Sequence, residues 1–83
     1  MKFVKYPVAT EKAVRLIESD NAVTFVTDKK ANKKKIKEEI EKEFNVKVNA
    51  VRTFIDTKGR KKAVIILSKE TPAIDIATQL GII

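Results

Sequence analysis

The 83 residues carry eighteen basic and eleven acidic side chains and no histidine, for a net charge of +7 and an isoelectric point near 9.8. The absence of cysteine excludes disulfides and thiolate metal sites, and no apolar run approaches the roughly eighteen residues that cross a bilayer. One domain, residues 1–83, with a lean core and a polyanionic partner is the first expectation. A lysine-rich solvated surface, as in proteins from hot environments, is the alternative that position along the chain must decide.

The opening stretch MKFVKYPVATEK has no apolar segment followed by a small-residue cleavage site, so no secretory signal is expected. Lys2 to Tyr6 alternates loosely and predicts a short edge strand stopped by Pro7, which lacks an amide donor. Thr10 is placed to cap a helix running to about Ser19, with Glu11 in its first turn and Ala13, Val14, Leu16 and Ile17 on one face. Asp20-Asn21 supplies a turn. Ala22 to Thr27 is β-branched and aromatic and reads as a strand with Val23 and Phe25 on one face, Thr24 and Val26 on the other.

A loop at 28–31 leads to Asn32, a cap for a helix whose buried stripe is Ile36, Ile40 and Phe44. The charge order here is reversed for a helix. Residues 28–37 hold six lysines against Asp28, whereas residues 38–43 hold four glutamates against Lys42. A helix N-terminus carries partial positive charge, so each misplaced charge costs about 0.3–1 kcal/mol. The pairs Lys34–Glu38, Lys35–Glu39 and Lys37–Glu41 also run in the weaker, Lys-first order.

Asn45 is suited to the left-handed conformation that ends the helix, with a strand expected from Val46. Val46 and Val48 share one parity while Val51, Thr53 and Ile55 share the other, which predicts a bulge near Asn49-Ala50. Asp56-Thr57-Lys58-Gly59 is a hairpin turn, and the next strand runs from Arg60 or Lys61 to Leu67. Ala63 to Leu67 is apolar on both faces, as expected of a strand inside the sheet. Thr71 as cap, Pro72 at the first helical position and Gly81 as terminator frame a last helix, burying Ile76, Ala77 and Leu80. The expected architecture is α+β in the order β-α-β-α-β-β-α. The 22–27 strand, the 33–44 helix and the 46–55 strand form a split βαβ unit, with the 61–67 strand inserted between the two parallel strands of a mainly antiparallel four-stranded sheet. The long helix is expected on one sheet face and the terminal helices on the other.

Catalytic equipment is thin. There is no serine beside a base, no glycine-rich phosphate loop, and glycine occurs only at positions 59 and 81, so no enzyme and no cofactor are expected. What remains is basic charge: Lys29, Lys30, Lys33, Lys34, Lys35 and Lys37 at the strand-to-helix corner, Lys58, Arg60, Lys61 and Lys62 at the hairpin, and Lys2, Lys5 and Lys12 near the start. Antiparallel pairing brings the first two clusters to one end of the sheet, a polarity that a merely solvated surface does not need. Together with Arg52 and Lys12, they are the expected phosphate contacts. Fifteen lysines against three arginines suit phosphate neutralisation more than base reading, which favours structured RNA. Phe25, Phe44 and Phe54 form no RNA-stacking pair with neighbouring glycines and are assigned to the core.

Tyr6-Pro7-Val8-Ala9-Thr10-Glu11-Lys12-Ala13 resembles the Pro-x-x-Ser/Thr-Glu-Lys opening of the ribosomal protein L23 family. Asn21 to Val26 resembles its first full strand, Ala31-Asn32-Lys33 with Ile36-Lys37 its helix start, Phe44-x-Val46-x-Val48-x-x-Val51-x-Thr53 its helix exit, and Lys61-Lys62-Ala63-Val64 with Leu67 its basic-pair strand. The resemblance implies a cytoplasmic structural protein of the large ribosomal subunit. Its implied partners are large-subunit rRNA near the polypeptide exit tunnel, neighbouring large-subunit proteins, and the signal recognition particle or other nascent-chain factors, with Glu11 at the docking position. Neither membrane insertion nor a small-molecule substrate is implied. The tight turn at Thr57-Lys58-Gly59 resembles archaeal members and speaks against the long tunnel loop of bacterial ones. Asn32-x-x-Lys35 replaces the family's Thr-x-x-Glu capping box. A protein-interaction module without a direct rRNA role, and a free-standing nucleic-acid-binding protein, are the alternatives.

Overall fold

Alternation, caps and turn residues translate into seven elements. The computed structural model describes residues 2–82. It contains β1 (Val4–Pro7), α1 (Glu11–Ser19), β2 (Ala22–Thr27), α2 (Lys33–Phe44), β3 (Val48–Ile55), β4 (Lys61–Leu67) and α3 (Ala73–Gln79). The strands form one sheet in the order β1-β2-β4-β3 with every neighbouring pair antiparallel. The parallel strands β2 and β3 thus flank β4, which is the expected split βαβ. The N-terminal segment does pair as a strand, Tyr6 opposite Val26 and Pro7 opposite Phe25.

Register divides the sheet into two faces. Phe25, Ala63 and Thr53 stand abreast, as do Val23, Ile65 and Val51. On this face Val23, Phe25, Ala63 and Ile65 join Ile36 and Ile40 of α2 in one buried cluster, and Phe44 lies 6.3 Å from Phe25 ring to ring. Ile36 and Ile40 are almost wholly buried, each contributing about 1.5–3 kcal/mol by removing its side chain from water. The opposite face carries the rows Thr24–Val64–Arg52 and Val26–Lys62–Phe54. The terminal helices do not cover that face, contrary to the expected placement: Ile17 of α1 and Ala73, Ile76 and Ala77 of α3 are buried in the same cluster as α2, with α3 packed against α1 and β2, and α1 only borders the opposite face through Ala13 and Leu16.

The local stops and starts follow their residues. Thr10 Oγ1 accepts from Ala13 N at 3.3 Å, and Asn32 Oδ1 accepts from Lys35 N at 2.8 Å. Asn45 and Gly59 have φ of 54° and 81°, the left-handed geometry that each turn needs. The bulge falls between Val48 and Ala50. At the end of α3, Gly81 has φ 75° and Ile82 N donates to Ala77 O at 3.0 Å.

Four further expectations are corrected. Strand β3 begins at Val48 and not Val46, because Val46 N still closes α2 by donating to Glu41 O at 3.3 Å. Thr71 does not cap α3; Asn21, fifty-two residues earlier, does so from outside, its Oδ1 accepting from Ala73 N at 2.7 Å. Phe54 is not core but 46% exposed, since no helix covers its end of the open face. None of the three expected Lys–Glu pairs of α2 closes among the described residues. Glu39 and Glu41 turn to backbone amides instead. Glu39 accepts from Lys2 N (2.6 Å), Phe3 N (2.7 Å) and Val4 N (2.9 Å), and Glu41 accepts from Val48 N (3.0 Å).

Candidate nucleic-acid interface

Strand β2 ends at Thr27 opposite Lys61, the first residue of β4, so the loop after β2 and the hairpin before β4 meet at one end of the sheet. One hydrogen bond ties the two segments, and Lys29 reaches toward the hairpin turn. Lys61 Nζ donates to Ala31 O at 2.6 Å, and a Cβ placed on Gly59 would stand 4.0 Å from Lys29 Nζ. The first loop is shaped by Asp28, whose carboxylate accepts from Lys30 N at 2.9 Å and whose carbonyl accepts from Ala31 N at 3.0 Å. The hairpin is shaped by Asp56: Oδ1 accepts from Lys58 N (2.9 Å) and Arg60 N (2.8 Å), while Oδ2 accepts from Arg60 Nε (3.1 Å) and lies 3.3 Å from Lys62 Nζ. The Arg60 amide bond leads these contacts in holding the Asp56 carboxyl down to about 2, against the pull of its own desolvation. Arg60 is pushed further up by the neighbouring Tyr6 hydroxyl and then by Asp56, which keeps it charged.

The expected phosphate contacts therefore fall into three groups. Lys29, Lys30, Lys33, Lys34, Lys35, Lys37, Lys58 and Arg60 are exposed around this corner. None of the six lysines of the loop and helix pairs with a carboxylate among the described residues. Lys61 and Lys62 are half-buried and tied to Ala31 and Asp56, so they brace the corner more than they project from it. Lys12 and Arg52 lie elsewhere, with Lys62, along a groove of about 430 Å³ between α1 and the open sheet face; Val8, Thr10, Ala13, Leu16, Asp20, Thr24, Phe54 and Val64 complete its walls.

The N-terminal cluster also divides. Lys2 Nζ and Lys35 Nζ stand 5.5 and 5.6 Å from the Phe3 ring, which joins Lys2 to the start of α2. Lys5 is exposed on β1. Glu11, the expected docking residue, is 81% exposed and, among the described residues, its carboxylate pairs with the similarly exposed Arg15 at 2.7 Å, a pair of little energetic weight that a partner can displace.

Sequence reasoning missed the groove. Its signal was present in the parity of β3, which sets Arg52 and Phe54 on one face, but the missing cover over that face is a tertiary fact. No cluster of carboxylates able to hold a metal ion occurs among the described residues, and no helix is long and apolar enough to cross a membrane.

Comparison with known proteins agrees with this architecture. The family model described as ribosomal protein L23 matches residues 2–76. The large ribosomal subunit protein uL23 of Pyrobaculum aerophilum is 46% identical over 80 residues, spanning 96% of this chain and 99% of that protein. Both likenesses run through all the strands and the basic corner, and a family without enzymatic activity accords with a site made of unpaired cations. The chain belongs to the ribosomal protein L23 family.

Proposed function

We propose that this chain is an rRNA-binding constituent of the large ribosomal subunit, holding large-subunit rRNA on the corner built by residues 29–37 and 58–60. Membership of the family makes it a structural part of that subunit and places it with the cytoplasmic ribosome. The observation that carries the rRNA reading is the meeting of the 28–31 loop with the start of β4, tied by Lys61 Nζ on Ala31 O at 2.6 Å, with four lysines in the first turns of α2 and no acid paired to them among the described residues. Neutralising a polyanion with so many unpaired cations releases its counterions, which makes the affinity strongly salt-dependent. The same reading sets the protein at the exit-tunnel rim, with the exposed Glu11 a contact for the signal recognition particle or another nascent-chain factor.

The test is filter binding of the purified protein to large-subunit rRNA across a salt series. With six or more phosphate contacts, affinity falls by about a thousandfold or more between 50 and 200 mM salt. Reversal of Lys33, Lys34 and Lys35 to Glu removes most of the binding at every salt concentration. Unchanged affinity in that variant would refute the corner as the rRNA face and favour an interaction module whose lysines only keep it soluble.

A further inference from the structure

The groove beside α1 has features that the corner does not explain. Its floor is the open face of the sheet, where Thr24, Val64 and Arg52 stand abreast next to the row of Val26, Lys62 and Phe54. Phe54, which the core does not need, leaves nearly half its surface to solvent there. Three cations, Lys12, Arg52 and Lys62, line the groove against one acid, Asp20. Thr24 lines it as well, 5% exposed, and its hydroxyl is the buried side-chain polar atom without a hydrogen-bond partner among the described residues. An unpaired buried hydroxyl costs stability unless a partner arrives.

We propose that this groove receives one unstacked nucleotide of the bound RNA, its base on the Phe54 ring and its phosphate between Arg52 and Lys12. The inference rests on the rRNA reading above and extends it from backbone neutralisation to capture of a base. Charge and chemistry choose this occupant. With Lys62 held by Asp56, Lys12 and Arg52 still outnumber Asp20 and favour an anion, and an exposed aromatic two residues from an arginine on the same strand face offers a stacking surface and a phosphate clamp together. The volume is in the range of small-ligand sites. Continuity points the same way: Lys62 lines the groove while its Nζ reaches Asp56, which also holds Arg60, so the basic hairpin adjoins the groove. Thr24 then gives the base edge or ribose a hydrogen-bond partner, after rotation of its side chain toward the groove.

Ultraviolet cross-linking of the protein to protein-free large-subunit rRNA, followed by nuclease and trypsin digestion and mass spectrometry, tests this directly. A nucleotide adduct on the peptide Thr53–Lys58 at Phe54 is expected, absent from Phe54→Leu. In filter binding, Phe54→Leu weakens affinity by about tenfold with an unchanged salt slope, because stacking releases no counterion. Arg52→Gln lowers the slope by about one ion. Adducts confined to 29–37 and 58–62, with wild-type affinity in both variants, overturn the proposal while leaving the corner intact. Protein cross-links at Phe54 in the assembled subunit without any nucleotide adduct also overturn it, in favour of a polypeptide in the groove. Should the Lys33/Lys34/Lys35 reversal bind normally while Phe54→Leu does not, the corner reading fails and the groove stands alone.

Discussion

Asn21 does the work of several residues. Its φ of 52° turns the chain between α1 and β2, its Nδ2 donates to Leu67 O (3.3 Å), Ser68 O (3.0 Å) and Thr71 O (3.1 Å), and its Oδ1 caps α3 through Ala73 N. Asparagine tolerates the left-handed region and carries donor and acceptor on one planar group, so no other side chain satisfies all four bonds. Alanine at this position removes a helix cap, takes the side-chain donor from Leu67 O, Ser68 O and Thr71 O, of which Ser68 O keeps the Thr71 amide, and adds backbone strain. Asn21→Ala is expected to cost about 2–4 kcal/mol in urea unfolding, with Asn21→Asp intermediate because it keeps the acceptor for Ala73 N. Equal losses in the two variants would mean that the cap contributes little and the donors dominate.

Helix α2 shows stability and charge pulling in opposite directions. Its first turn is entirely lysine at residues 33–35, and only the Asn32 side chain, on Lys35 N, offsets that arrangement. Lys35 is not purely a binding charge, because its ammonium also sits over the Phe3 ring. Acids at these positions suit the positive end of the helix, and a glutamate at 35 is spaced to complete a capping box with Asn32. The Lys33/Lys34/Lys35→Glu protein is therefore expected to be more stable than wild type by about 1 kcal/mol, while losing rRNA affinity. Thermal or urea unfolding of the free protein measures the first effect, and the binding assay the second. A variant that lost both would show that the lysines hold the fold, and its binding defect would say nothing about RNA.

Across the whole molecule, what could be read from sequence was what lies close in sequence. Thr10, Asn32, Asn45, Gly59 and the β3 bulge each act within a few residues and behave as their residue types require. The convergence of loop and hairpin was also legible, because antiparallel pairing alone dictates it. Hidden were the long-range polar anchors, Glu39 reaching the N-terminal strand and Asn21 reaching α3, along with the uncovered end of the sheet that exposes Phe54. Those anchors govern the response to acid. Burial pushes the Glu39 carboxyl up, but the Phe3, Val4 and Lys2 amides outweigh it and leave it below its usual 4.5; Asp56 is held at about 2 instead of 3.8. A carboxyl depressed in the folded state adds stability in full above its unfolded value and loses it as pH falls through the folded value. Stability should accordingly be flat from pH 7 to about 5 and then decline from about 4.5 toward 2, where the net positive charge, already +7, also grows. Glu39→Gln should remove the upper part of that decline, near 4.5, and Asp56→Asn the part between 3.8 and 2. Unfolding curves at one fixed ionic strength across this pH range separate the two, since each variant differs from wild type by a single charge and the two variants share that charge change while losing different anchors.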